Sequence, residues 1–132
     1  MSQENVEIMK RWNAAFNARD MDAVGEILDP DVVIARDLEG WPETGPLVGR
    51  EAVIRQWERS LDPFPDGATI DLVSVTDVGD RVVARSVGHG KGQGPELSAE
   101  FTTISTMRNG RVLIIEYFWD YAEALASLGL SE

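Results

Sequence analysis

Asp37, Asp120 and His89 are side chains whose type could move a proton. A partly buried carboxylate can carry a proton between carbons of a bound carbonyl compound, and an imidazole gains and loses one near neutrality. Other chemistries fall away. The chain has no cysteine, which excludes thiol nucleophiles, disulfides and cysteine-based metal sites. One histidine gives a zinc centre too few ligands, so no metal is expected. Gly88, Gly90, Gly92 and Gly94 crowd one segment, yet the Gly-Lys-Ser/Thr ending of a phosphate-binding loop is missing. No cofactor is expected from these residues.

Each candidate also has an unreactive explanation. Asp37 beside Arg36 suits an exposed loop pair, and His89 among glycines suits a solvated loop. Asp120 and Glu123 have the spacing of a capping box, in which the aspartate accepts hydrogen bonds from the first N–H groups of a helix. Both readings of Asp120 stay open at this point.

The elements that must position these residues follow from periodicity. Val6, Met9, Trp12 and Phe16 recur at helical spacing between Ser2 and Ala18. Asp20 can cap a second helix through Leu28, stopped by Pro30, and Asp31 to Asp37 reads as a short β-branched strand. Leu38 to Gly49 is rich in glycine and proline and reads as a loop. A third helix spans about Arg50 to Leu61, with Val53, Ile54, Trp57 and Leu61 inward. The period then changes to two. Strands are expected over Ala68–Val78, around Val82–Ala84, over Glu96–Met107 and over Val112–Trp119. The four glycines mark a flexible connection or a bulged hairpin tip, and Asn109-Gly110 is a type I′ turn signal. A closing helix runs from Tyr121 to Leu128, ended by Gly129. This order predicts one α+β domain: an antiparallel sheet with helices on one face.

At 132 residues the chain can bury a single core. Its net charge of -11 repels phosphate backbones and anionic membranes, so neither nucleic acid nor membrane is an expected partner. The first residues do not read as a signal peptide, and no stretch reaches the roughly 20 apolar residues of a membrane span, so a cytoplasmic location is expected.

Particular residues go further. Arg11 to Asp20 reads RWNAAFNARD, an aromatic residue followed by an Ala-x-Asn-x-x-Asp pattern. Leu28-Asp29-Pro30-Asp31-Val32, Gly49-Arg50-Glu51-Ala52-Val53 and Asn109-Gly110-Arg111-Val112 follow in order. Over nearly the whole chain this resembles the nuclear-transport-factor-2-like (NTF2-like) or SnoaL-like superfamily, which includes ketosteroid isomerases, polyketide cyclases, epoxide hydrolases and non-catalytic binding modules. The resemblance implies a cone: a curved antiparallel sheet wrapped by three N-terminal helices plus a short C-terminal helix. It puts Asp37 within a residue of the isomerases' general base and Glu100 near their second acid. Trp12 stands where they carry a tyrosine; an indole N–H donates one hydrogen bond but is no acid. The segment from Asp120 to Gly129 is similar to the cyclase ending, where the aspartate serves aldol ring closure, and His89 is the one counterpart of a cyclase histidine. No Arg-x-Asp pair occurs in the strands, which lowers the epoxide hydrolase reading.

The expectation is therefore a small-molecule-binding protein, with isomerase- or cyclase-type proton transfer on an apolar carbonyl ligand. The alternative is a non-catalytic binding or assembly module. Trp12, Phe16, Trp41, Trp57, Glu116 and Phe118 are expected to line the pocket. Glu116, Phe118 and Asp120 share one face of the last strand; Ile115, Tyr117 and Trp119 share the other, an apolar row that predicts a homodimer.

Overall fold

Alternating periods of about 3.6 and 2 in the sequence become four helices and six strands. The computed structural model describes residues 2–38, 47–61, 64, 67–91 and 96–130. Trp41, Gly92 and Gly94 lie outside the described residues.

Helix α1 (Ser2–Asn17) buries Ile8 and Met9 and turns Glu4, Glu7 and Lys10 to solvent. It ends at Arg19, whose positive φ of 62° lets the chain double back. Asp20 then caps α2 (Met21–Ile27), accepting from the Ala23 N–H at 3.1 Å. Strand β1 (Leu28–Arg36) begins earlier than the Asp31 start expected, because Leu28 already adopts extended backbone and pairs with Val112. Pro30 lies inside this strand, where the ladder to its neighbour is interrupted between Leu28 and Val33. A missing N–H is tolerated there. A two-residue strand, β2 (Leu47–Val48), interrupts the expected loop, and α3 (Arg50–Ser60) follows.

The second half is a meander of β3 (Gly67–Val78), β4 (Arg81–Lys91), β5 (Leu97–Arg108) and β6 (Arg111–Phe118), closed by α4 (Tyr121–Ser127). Asn109 and Gly110 both have positive φ, as their hairpin turn requires. Strand β4 runs well past Ala84. Gly88 and Gly90 are ladder residues opposite Ala99 and Leu97 on β5, not a loose connection. The physical reason is steric. A phenyl ring lies over each glycine, and a Cβ on Gly90 would come within 2.4 Å of Phe64.

The sheet order is β2-β1-β6-β5-β4-β3, curved and unclosed. The meander is antiparallel, but β1 pairs with β6 in parallel, with Ile34 opposite Ile115 and Arg36 opposite Glu116. This corrects the expectation of antiparallel pairing throughout. A parallel pair needs a long crossover, and the chain from α3 through β5 supplies it. On the concave face α1–α3 cover a core that includes Ile8, Val24, Leu28, Val53, Val82 and Ile115. On the convex face α4 seals a second cluster of Val83, Ile104, Phe118 and Ala124. A fully buried side chain of this kind is worth roughly 1.5–3 kcal/mol, so neither face is a minor contributor.

Candidate functional site

The parallel register decides what meets what. Arg36 lies opposite Glu116 on the convex side, so the next residues, Asp37 and Tyr117, come together on the concave side. Both line a cavity of about 380 Å³ between the sheet and helices α1 and α3. Its walls are largely apolar. Trp12 and Trp57 meet with ring centroids 5.5 Å apart, Phe16 meets Trp57 edge-on at 6.5 Å, and Phe101 lies 6.1 Å from Tyr117.

Polar groups gather where β1, β6 and α3 converge. The Asp37 carboxylate accepts from the Leu38 N–H at 2.9 Å and from Gln56 Nε2 at 2.9 Å, which fixes its plane. An ionised carboxylate has about four lone-pair sites, so two remain for a ligand. Gln56 is 5% exposed, and its Oε1 has no hydrogen-bond partner among the described residues. Burial pushes the Tyr117 phenol well above its ordinary value. The Trp57 indole N–H, donating to the phenol oxygen, opposes this, and the nearby Asp37 charge adds to the rise. Tyr117 therefore stays protonated through the neutral range and keeps a proton to donate.

The remaining expected site residues are dispersed. Trp12, Phe16 and Trp57 line the cavity, as does His89 on β4. His89, however, alternates with Gly88 and Gly90, so its ring leaves on the convex side. There Nε2 lies 3.0 Å from Asp71 Oδ2, and Asp71 is exposed. Glu100 is exposed on β5 and does not line the cavity. Asp120 caps α4, accepting from the Ala122 N–H at 2.9 Å. Glu123 does not complete a capping box; it pairs with Arg36 at 2.5 Å instead. The expected faces of β6 are exchanged. Phe118 is buried beneath α4 with the Arg36 guanidinium 4.2 Å above its ring, and Glu116 shares that convex side. Ile115 is fully buried, and Tyr117 and Trp119 line the cavity, Trp119 remaining 43% exposed. Tyr117 and Gln56, beside Asp37, are polar site residues that sequence reasoning missed. The signal lay in α4, whose apolar Ala124, Leu125 and Leu128 need a sheet face of their own.

A family model for the SnoaL-like domain matches residues 9–115. The chain belongs to the SnoaL-like domain family. This SnoaL-like domain also resembles solved structures in fold. A protein from a soil-derived mobile gene cassette, Bal32a, shares 25% identity at a TM-score of 0.79, covering 87% of this chain and 88% of that one. A hypothetical protein with a ketosteroid isomerase-like fold from Catenulispora acidiphila DSM 44928 shares 19% at 0.73, covering 94% and 93%. A putative polyketide cyclase from Sinorhizobium meliloti shares 23% at 0.68, covering 84% and 93%. No curated protein matches the SnoaL-like domain's sequence.

Proposed function

We propose that the cavity takes a small, largely apolar carbonyl compound and that Asp37 moves a proton on the carbon beside that carbonyl. The observation that supports this is the meeting of Asp37 and Tyr117 at a polar end of an otherwise apolar cavity. The Asp37 carboxylate takes the proton, the C–H electron pair enters a C–C double bond, and the carbonyl electrons move onto oxygen. The Tyr117 hydroxyl donates a hydrogen bond to that oxygen as charge develops. Where a C–C double bond adjoins that carbon, the product is a dienolate, and return of the proton from Asp37 to its far carbon isomerises the ligand as the carbonyl re-forms. Attack by the same carbanion on a second carbonyl of the ligand closes a ring, the resulting alkoxide taking the proton back from Asp37, which fits a fold shared with a putative polyketide cyclase. Neither outcome draws on an oxidant or cofactor.

A second reading, binding without turnover, draws support from Asp120, whose carboxylate is engaged in capping α4 rather than turned to the cavity. Deuterium exchange separates the two. With simple aryl ketones in heavy water, the parent should catalyse exchange beside the carbonyl. Asp37→Asn should lower it by about a hundredfold or more. Exchange no faster than buffer, with binding intact, favours the binding module.

A further inference from the structure

The far end of the cavity is built differently from its polar end. Its concave wall follows β4, where Ala84, Ser86, Gly88 and Gly90 alternate onto the same face. Ala84 lies opposite Thr103, which in turn lies opposite Tyr117, so this register marks the polar end. Gly90 is six residues further along β4, a distance of about 20 Å at the rise of an extended strand. The side chains along that wall are small. Nothing larger than Ser86 projects from β4 itself before Gly90, and Phe101 of β5 brings its ring edge against Gly88.

Phe64 stands at the end of this track. Its ring carbons lie 2.4–2.9 Å from where a Cβ on Gly90 would be, so the ring rests directly on bare backbone. The Phe64 N–H donates to the Leu61 carbonyl, and the Gly67 N–H donates to the Phe64 carbonyl, both at 3.0 Å. These bonds tie its main chain to the end of α3 and the start of β3. The ring is held from both sides, by its turn and by its seat.

We infer that Phe64, seated on Gly90, is a length stop, and that the ligand is an elongated amphiphile. Its carbonyl head would sit at Asp37 and Tyr117, and its unbranched apolar tail would run along the Ala84–Ser86 wall and past the Phe101 ring toward Gly90. This rests on the proposed carbonyl-binding reading but concerns the opposite end of the cavity.

Phenyl alkyl ketones of increasing chain length test it, with binding followed through the fluorescence of Trp12 and Trp57. Affinity should rise about three- to fourfold per methylene, the increment for burying one, and then break off at a defined length. Phe64→Ala should move the break to longer tails, and Phe64→Leu should move it less far in the same direction. Gly90→Ala, which unseats the ring, should also displace or blur it. Tyr117→Phe should weaken every member alike without moving the break. If affinity climbs through the whole series in the parent, or the break stays put in both Phe64 variants, the stop is wrong while the carbonyl site stands. If no member binds, the carbonyl reading fails and the stop falls with it.

Discussion

Asp37 and Asp120 share a side chain and differ in what surrounds it. Asp120 gives an oxygen to the Ala122 N–H, the ordinary duty of a helix cap. Its replacement by alanine should cost about 0.5–2 kcal/mol, and asparagine, which keeps the acceptor, well under about 1. Thermal or urea unfolding of the two variants measures this directly; equal losses would remove the capping role. Tyr117 carries a pH signature. Its phenol is raised in the folded state, so the fold binds a proton that the unfolded chain gives up above about pH 10. The stability this provides is complete below that pH and declines as pH climbs toward the folded value. Alkaline unfolding of Tyr117→Phe should therefore show a smaller loss past about pH 10 than the parent.

Among the elements, β1 and the β5–β6 hairpin are tied by charge. Arg108 donates to both oxygens of Asp29, from Nη2 at 3.0 Å to each and from Nε at 3.2 Å to one. The Asp31 N–H, first, and then Arg108 hold the Asp29 carboxyl below the usual range against the cost of its burial. A depressed folded value gives stability that is full above about pH 4 and is lost as pH falls through the folded value. Asp29→Asn should thus flatten the acid limb of a stability-against-pH curve; an unchanged limb would show that the pair is too well solvated to matter. Element types were legible in the sequence wherever the period was clear, as in α1, α3 and the Asn109-Gly110 hairpin. What escaped were long-range facts. Nothing local to Gly88 and Gly90 says that the rings of Phe101 and Phe64 will occupy the space their side chains leave. Nothing local to β6 says which of two mixed faces turns inward, because that depends on where α4 docks. Asp37 was legible as a candidate, but its neighbour Tyr117 depended on the parallel register.

At the scale of the whole molecule, Ile115 and Tyr117 belong to the interior of one chain. Tyr117→Lys should therefore abolish ligand binding and lower the melting temperature while leaving sedimentation as in the parent; dissociation on this substitution would place the row in an interface. The same geometry bears on how the site comes into being. Asp37 and Tyr117 are eighty positions apart in the sequence. Closing a flexible loop of that length costs about 4 kcal/mol beyond a constant, whereas the β3–β6 hairpins close over short turns. In folding, the meander can form from neighbouring strands, and β1 must then find β6 across the length of the chain. If the cavity binds as proposed, competence is a late event, absent from any intermediate that holds the meander alone. A chain severed between β1 and α3 would own half of the acid–phenol pair in each fragment, and ligand binding would return only when the fragments reassemble.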